Sequence, residues 1–334
     1  MWLYPTTSFL PETTISFLFV IPFPICQLRF LVHVTHELAL YSRQHRTTTR
    51  AVVPCKGKNT LSFWAGNLSL SFVAKQGKTM LKRQEALLPL AFQRPLYPEG
   101  SDVCHGIILH PPGGVAKDDQ LHIHVDLAEG THVVLTSPGA TKIYRSTTNA
   151  HQNVKTTVSN GACLEWLPQE TILFDGAYWH QKSLIELDTK GLWLGWDITR
   201  FGRSASGERF LRGCWKSTTE VWRGGRPLWV DRQRLDGGST LLDSPFGLKG
   251  NAVTATLAWV GAPVDRDLID ACRSWWQSRD WEGDAGVTRL ECGLTARYRG
   301  PSTANARAWF VAIWDMVRRQ FLQRPAYLPR VWNN

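Results

Sequence analysis

The stretch that decides the fold runs from residue 128 to residue 196 and holds three similar segments: AEGTHVVL (128–135), SNGACLEW (159–166) and TKGLWLGW (189–196). Their glycines, Gly130, Gly161 and Gly191, lie 31 and 30 residues apart, and each follows a turn-forming pair. Apolar residues stand three and five positions beyond each glycine: Val133 and Leu135, Leu164 and Trp166, and Leu194 and Trp196. A fixed period that repeats one strand face predicts the stacked coils of a β-solenoid. A β-sandwich with a chance repeat is the alternative.

Outside this stretch, shorter runs alternate apolar and polar residues as half-buried β-strands do. They lie at Leu61–Val73, Leu121–Leu127, Val133–Leu135 and Leu184–Leu187, with Gly, Pro, Asn and Asp between them. Helical spacing appears only in two late segments, Val264–Arg279 and Ser302–Leu322. We therefore predict a mainly β fold, with an elongated β-helix or solenoid-like body and two C-terminal α-helices.

The composition is that of a globular protein with a basic surface. Of the 334 residues 43% are apolar and 20% charged, and the net charge is +10. Because the basic residues are spread out and form no run of five, binding to nucleic acid is disfavoured. What remains is a soluble protein with a positive surface or one with an acidic protein partner. The 16 Trp indicate a large protein interface, a Trp-rich core, or both.

The cysteines number seven and form no Cys-x-x-Cys pair. Their odd number and scattered spacing argue against a disulfide framework and against a zinc ribbon. Free, mostly buried thiols in a reducing cytoplasm fit this pattern best.

The N-terminal region differs in character from the rest of the chain. Ile15–Val34 is apolar, but Pro22 and Pro24 interrupt it and Arg29 charges it, so it makes a poor membrane-spanning helix. No Lys or Arg precedes Arg29, although a signal peptide requires a positive start. We interpret residues 1–58 as a disordered extension that arises from a start codon assigned too far upstream and is dispensable for folding and partner binding. A membrane anchor is the alternative.

No segment carries the pattern of an enzyme active site. Gly202–Glu208 resembles a nucleophile elbow, but Ser206 stands where the second glycine is required. His110–Gly114 is rich in glycine but lacks the Lys and the Ser or Thr of a phosphate-binding loop. Both segments are better interpreted as turns. We therefore predict that the protein is not an enzyme, with a diverged hydrolase as an alternative.

Five histidines are concentrated between His105 and His132. Within this cluster His122 and His124 alternate with apolar residues, so a strand would place both imidazoles on one face. Such a pair suits Ni²⁺ or Zn²⁺, and a solvated strand face is the alternative. A metal-binding protein that uses the His105–His132 cluster is thus a second candidate function.

Three carboxylates, Glu165, Glu170 and Asp175, lie in a mainly apolar stretch. Carboxylates cost free energy when they are buried without a partner. They would be tolerated if they lined a wet passage. The alternative is an ordinary solvated turn or strand edge.

Several longer motifs follow one another along the chain: QRPLYPEG (93–100), DVCH (102–105), HPPGGV (110–115), TSPGATKIYRS (136–146), LEWLPQETILFDGA (164–177), LGWDITRFGRSASGERF (194–210) and LPRVW (328–332). In this order they resemble the UreD (also called UreH) family of urease accessory proteins. The resemblance covers roughly residues 61–334 and leaves residues 1–58 without a counterpart. Because the motifs are long and collinear, a chance match is very improbable.

The resemblance implies a non-enzymatic chaperone that assists nickel insertion into urease apoprotein. It implies an elongated β-helix-like body with two helices, docked to the accessory protein UreF, which in turn carries the GTPase UreG. Ni²⁺ would pass through a water-filled tunnel, and no cofactor would be tightly bound. The cytoplasm would be the place of action.

The resemblance also suggests roles for particular residues. Glu165, Glu170 and Asp175 are expected to hold Ni²⁺ transiently, because oxygen ligands bind it less firmly than thiolate or imidazole. The helix within Ser302–Leu322 is apolar around much of its circumference and is expected to contact UreF. Its contact residues would be Trp309 and Trp314, with Arg318, Arg319 and Arg324 as a charged rim. Packing of the whole apolar surface within this chain is the alternative.

One loop departs from the family pattern. After HPPGGV the family usually has a second pair of glycines before an Asp, and here Lys117 and Asp118 stand in their place. Glycine adopts positive φ angles easily, Asp less so and Lys least. We therefore expect the loop to differ in shape from that of the family.

Overall fold

The computed structural model describes residues 64–333, so the predicted extension over residues 1–58 lies outside the described part. Seven strands form the first sheet: β1 (Ala65–Lys75), β2 (Lys78–Leu87), β5 (Gln120–Leu127), β8 (Ala150–Val158), β11 (Ala177–Leu187), β13 (Gly213–Arg223) and β14 (Arg226–Asp236). Ten strands form the second: β3 (Ala91–Phe92), β4 (Val103–Leu109), β6 (His132–Thr136), β7 (Thr141–Ile143), β9 (Cys163–Leu167), β10 (Thr171–Leu173), β12 (Leu192–Phe201), β15 (Val253–Val260), β16 (Asp284–Leu290) and β17 (Gly293–Gly300). The helices are α1 (Arg266–Gln277) and α2 (Thr303–Val317), and a π-turn over Arg318–Leu322 follows α2.

The chain passes repeatedly from one sheet to the other between β4 and β13. In the first sheet β1, β5, β8, β11 and β13 pair in parallel, and in the second sheet β4, β6, β9 and β12 do so. Antiparallel strands flank both parallel regions, and neither sheet closes on itself. The predicted mainly β fold with two late helices is thus confirmed, and the β-helix form of the body stays a prediction.

The periodic glycines form turns that stack on one another. The Gly130 amide donates to the carbonyl oxygen of Asn160 at 3.2 Å, and the Gly161 amide donates to that of Lys190 at 3.2 Å. Gly130 and Gly161 adopt φ angles of +69° and +67°, a left-handed conformation that favours glycine. Gly191 is needed for another reason, because a Cβ there would lie 2.6 Å from the carbonyl oxygen of Val158.

The third segment of the repeat is out of step with the first two. Leu164 pairs with Val133 on one side and with Trp193 on the other, and not with Leu194. This register is one residue short of the 30-residue glycine spacing, which would pair Leu164 with Leu194, and a shift of one residue reverses the face of every side chain. Leu194 and Trp196 consequently face the helices, so the prediction that one strand face repeats is wrong for the third segment.

Two apolar layers hold the fold together. The first lies between the sheets and includes Leu70, Val125 and Leu164. The second lies between the second sheet and the two helices and includes Trp259 and Trp309. Among residues 64–333, neither helix has the length and apolar character that a membrane-crossing segment needs.

The loop with the unusual residues contains a strained position. Lys117 has a φ of +47°, whereas Asp118 does not adopt a positive φ. A left-handed φ costs a residue with a Cβ about 1–2 kcal/mol. Glycine removes this cost, but it is freer in the unfolded chain and loses more entropy on folding, which cancels part of the gain. We expect Lys117→Gly to raise the free energy of unfolding by about 0.5 kcal/mol and the matched Asp118→Gly to lower it by about 0.5–1 kcal/mol. Urea denaturation measures both, and equal shifts for the two variants would contradict the assignment of strain to Lys117.

Candidate functional site

A cavity of about 290 Å³ lies between the two sheets. Its wall carries the polar residues Gln181, Asp197, Ser217, Asp231, Gln233 and Thr256 and the aromatic residues Trp166, Trp179, Trp193 and Trp229. The polar side chains come from both sheets, because alternate residues of β11, β12, β13, β14 and β15 point inward. A cavity with this many donors and acceptors suits ordered water or a hydrated cation.

Asp197 is the central charged group of this cavity. It accepts hydrogen bonds from Gln181, from the Ser217 hydroxyl at 3.3 Å and from the Thr199 hydroxyl at 3.3 Å. Burial raises the pKa of Asp197 to about 6, and the neighbouring Asp231 adds to the rise, although the three hydrogen bonds act in the opposite direction. The carboxyl group therefore changes charge close to neutral pH.

Asp231 is the second carboxylate of the cavity. Its Oδ2 accepts a hydrogen bond from Gln233 Nε2 at 2.7 Å, and Gln233 Nε2 also donates to the Thr256 hydroxyl at 3.0 Å. Its Oδ1 accepts from Arg297 at 2.6 Å, and that guanidinium is half exposed. Asp231 thus connects the cavity to an arginine at the surface.

Glu165 does not line this cavity but pairs with a buried arginine behind the second sheet. Both Glu165 and Arg318 have no exposed surface. Arg318 Nε donates to Glu165 Oε1 at 2.8 Å, and Nη2 donates to Oε2 at 3.0 Å. Burial alone would raise the pKa of Glu165, but the nearby His132 and Arg318 outweigh it and lower the pKa to about 2.

The same guanidinium binds a second carboxylate, Glu99. Arg318 Nη1 donates to Glu99 Oε2 at 2.7 Å and to the carbonyl oxygen of Pro325 at 2.7 Å, while Nη2 donates to Glu99 Oε1 at 2.9 Å. His105 Nε2 lies 2.6 Å from Glu99 Oε1. Burial opposes ionisation of Glu99, but hydrogen bonds with His105 and Arg318 lower its pKa to about 2. One buried arginine therefore clamps two carboxylates from distant parts of the chain.

The other two predicted carboxylates are also paired with arginines. Glu170 accepts a hydrogen bond from Arg307 of α2. Asp175 accepts from the backbone amides of Leu211 and Arg212 at 2.9 Å and 2.8 Å and from the Arg212 guanidinium at 3.0 Å. These bonds outweigh burial and lower the pKa of Asp175. Neither carboxylate lines the cavity.

His122 and His124 occupy the outward face of β5. The strand alternates as predicted, with Leu121 and Ile123 buried and the two imidazoles directed to solvent. His124 Nε2 lies 3.0 Å from Asp126 Oδ2. Within residues 64–333 no three of the five clustered histidines meet at metal-ligand distance, and His122 and His124 gain no third ligand. The solvated strand face is therefore the better interpretation of this pair.

The apolar surface of α2 packs within this chain. Trp309 and Trp314 are fully buried, and Trp309 Nε1 donates to the Cys272 carbonyl oxygen of α1 at 3.0 Å. Arg318 is buried as well, so the structure places it in the core and not at an exposed rim. Arg319 is exposed, and Arg324 is partly exposed. A contact with UreF through this helix stays a prediction, and it would have to use positions other than the two indoles.

The Gly202–Glu208 segment is a turn, as expected. It contains a short 3₁₀ turn over Ser204–Ser206, and Arg203 donates to the Glu208 carboxylate. Glu208 also accepts from the Asp175 amide at 3.1 Å. The segment thus positions a neighbouring loop.

Sequence reasoning overlooked Glu99, Asp197 and Asp231. No local sequence pattern marks these three residues, although Glu99 and Asp197 lie inside the long motifs. It is the packing of the two sheets and the helices that brings them to their partners.

The comparisons with known proteins agree with one another. The sequence profile of a family described as UreD urease accessory protein matches residues 65–333. The chain is 46% identical over 270 residues to the urease accessory protein UreD of Nostoc punctiforme, across 80% of this chain and 96% of the relative. It is 45% identical over 276 residues to that of Acaryochloris marina, across 82% and 97%. It is 43% identical over 271 residues to that of Azoarcus sp., across 81% and 94%.

Proposed function

This chain belongs to the UreD family of urease accessory proteins, and on that premise we propose that it assists nickel insertion into urease apoprotein as a scaffold with UreF and, through UreF, UreG. The family match along residues 65–333 is the observation that carries the proposal. The protein acts in the cytoplasm, not as an enzyme, and Ni²⁺ is its cargo in transit, with no cofactor tightly bound.

The cavity between the sheets is the proposed nickel route. Asp197 and Asp231 supply carboxylates to its wall, and Gln181, Ser217 and Thr256 supply amide and hydroxyl groups. Oxygen ligands hold Ni²⁺ less firmly than thiolate or imidazole does, which favours transfer over storage. Polar groups from both sheets also keep the route wet, so that a cation need not shed all of its hydration.

The three carboxylates singled out from the sequence are weaker candidates for this route. Glu165, Glu170 and Asp175 each face an arginine and do not border the cavity. A cation that used them would have to displace a guanidinium from each. Their role in nickel passage stays a prediction. Replacing them with uncharged residues is expected to lower the free energy of unfolding before it affects nickel passage.

The outward face of the first sheet supports the role of a scaffold for acidic proteins. One row across neighbouring strands, in register, consists of Arg234, Lys216, His180 and His151. The next row includes Arg232, Lys182 and His122. Burial lowers the pKa of His180, as do the adjacent Lys216, His151 and Arg234. A sheet face that carries these arginine and lysine side chains attracts an acidic surface.

The test uses urease genes of the same organism, expressed together with UreF and UreG. We expect this chain to co-purify with UreF and UreG and to be required for urease activity and for nickel in the purified urease. The control omits only this chain and leaves urease expression unchanged. Urease that contains nickel without this chain, or a chain that binds none of the three proteins, would refute the proposal.

A further inference from the structure

A second set of side chains, separate from the cavity, has the chemistry of a metal site. His132 lies on β6, and Cys163 and Glu165 lie on the neighbouring parallel strand β9. His132 is the register partner of Cys163, and Glu165 is two residues further on, so the three side chains share one face of the second sheet. The imidazole, thiol and carboxylate ligand atoms all lie within 4.8 Å of one another.

We propose that His132, Cys163 and Glu165 bind one divalent transition-metal ion of the Co²⁺, Ni²⁺ and Zn²⁺ group. Sulfur and imidazole ligands favour these ions over Mg²⁺ and Ca²⁺. Three protein ligands leave a fourth position for water or for another donor. The inference does not depend on the proposed role in urease maturation.

The present geometry needs only a small contraction to accept the ion. His132 Nε2 is 3.6 Å from Glu165 Oε2, and a tetrahedral ion with bonds of about 2.0–2.3 Å holds its ligand atoms about 3.3–3.8 Å apart. No residue of the described part forms a hydrogen bond with His132 Nε2, so this nitrogen can bind the ion once it carries no proton. Cys163 and Glu165 are buried, whereas the His132 side chain keeps a small exposed fraction.

The surrounding charges are compatible with a divalent ion. Binding requires the Cys163 thiol to lose its proton to solvent, and the resulting thiolate and the Glu165 carboxylate then balance two positive charges. Arg318 is itself balanced by Glu99, with which it forms two hydrogen bonds. Carboxylates that bind metals are commonly held by hydrogen bonds from a neighbouring group, which is the position of Arg318 beside Glu165. Each carboxylate oxygen has two lone pairs, so Oε2 can accept from Arg318 and still bind the ion.

The site is distinct from the proposed nickel route. Leu164 belongs to the apolar layer between the sheets and Trp166 borders the cavity there. Cys163, in contrast, belongs to the layer beneath the helices. The second sheet therefore separates the two positions.

The test is a titration of the isolated full-length chain with Co²⁺, followed by absorption and equilibrium dialysis. We expect a thiolate-to-cobalt charge-transfer band in the wild-type protein that is absent from Cys163→Ala. His132→Gln and Glu165→Gln should weaken Co²⁺ binding about 10-fold or more. Cys104→Ala, which removes another buried thiol, and His124→Gln, which removes a solvent-facing imidazole, should leave both the band and the affinity unchanged.

Circular dichroism must show that each variant is folded. If Cys163→Ala or Glu165→Gln does not fold, His132→Gln decides the question, because its side chain is partly exposed. Co²⁺ should then raise the melting temperature of the wild type but not that of His132→Gln. The proposal is overturned if the wild type shows no thiolate band, if the band persists in Cys163→Ala, or if His132→Gln binds Co²⁺ normally. None of these readouts involves urease, so failure here leaves the proposed function standing.

Discussion

Replacement of Arg318 by Met is expected to lower the free energy of unfolding by about 3–5 kcal/mol at neutral pH. Arg318 is fully buried and pairs with Glu165 and Glu99. Met fills a similar volume but carries no charge, so both buried carboxylates would lose their hydrogen bonds to the guanidinium. Guanidinium denaturation monitored by circular dichroism measures the change.

The loss of unfolding free energy in Arg318→Met should depend on pH in a defined direction. The pKa values of Glu99 and Glu165 are each lowered to about 2 from the ordinary 4.5. Such lowered values contribute stability that is fully present above pH about 4.5 and is lost as the pH falls toward about 2. In Arg318→Met the part of the lowering that the guanidinium causes disappears, so the difference from wild type should be largest at neutral pH and smaller near pH 3.

The neighbouring Arg319 provides the matched control. It is exposed and pairs with Asp315 one helical turn away at 2.7 Å. Exposed pairs of this kind contribute little, so Arg319→Met should change stability by about 0.5 kcal/mol or less. Equal losses for Arg318→Met and Arg319→Met, or a loss at Arg318 that grows as the pH falls, would contradict the described clamp.

The difference between these two arginines shows the limit of sequence reasoning. Helical spacing correctly predicted a helix in this segment and its apolar residues. The partners of Arg318 lie 219 and 153 positions earlier in the chain, and a local period holds no information on such distant pairs. Arg318 and Arg319 therefore looked alike, although one is in the core and the other in solvent.

The β-body shows the same division between local and distant information. Turn glycines and alternation placed β5 and β6 well, because both signals are local. The repeat with its spacing of 31 and 30 residues was also visible, but a one-residue shift in the register between β9 and β12 reversed the face of Leu194 and Trp196. The alternation of side chains along a strand places Asp197 and Trp196 on opposite faces of β12. Only the packing of the two sheets and the helix layer decides which of these faces borders the cavity.

Replacement of Asp197 by Asn is expected to stabilise the protein at neutral pH and to impair urease activation. Burial raises the pKa of Asp197 to about 6 from the ordinary 3.8, so the folded protein binds this proton more tightly than the unfolded chain does. The corresponding stability is fully present below pH about 4 and is lost as the pH rises through about 6. A neutral Asn avoids this loss, and the gain at neutral pH should be about 1–2 kcal/mol, less than the full shift implies because an amide satisfies the hydrogen bonds less well.

Urease activation should fall about 10-fold or more in the same variant, because the cavity loses its central negative charge for Ni²⁺. Urease activity and nickel content measure this in the co-expression system, and denaturation at about pH 7.5 and pH 4 measures the stability. Asp188→Asn, at an exposed turn after β11, is the matched control and should alter stability by about 0.5 kcal/mol or less. A folded Asp197→Asn protein that binds UreF and activates urease normally would show that nickel does not pass through this cavity. A stability gain that persists at pH 4 would instead contradict the raised pKa of Asp197.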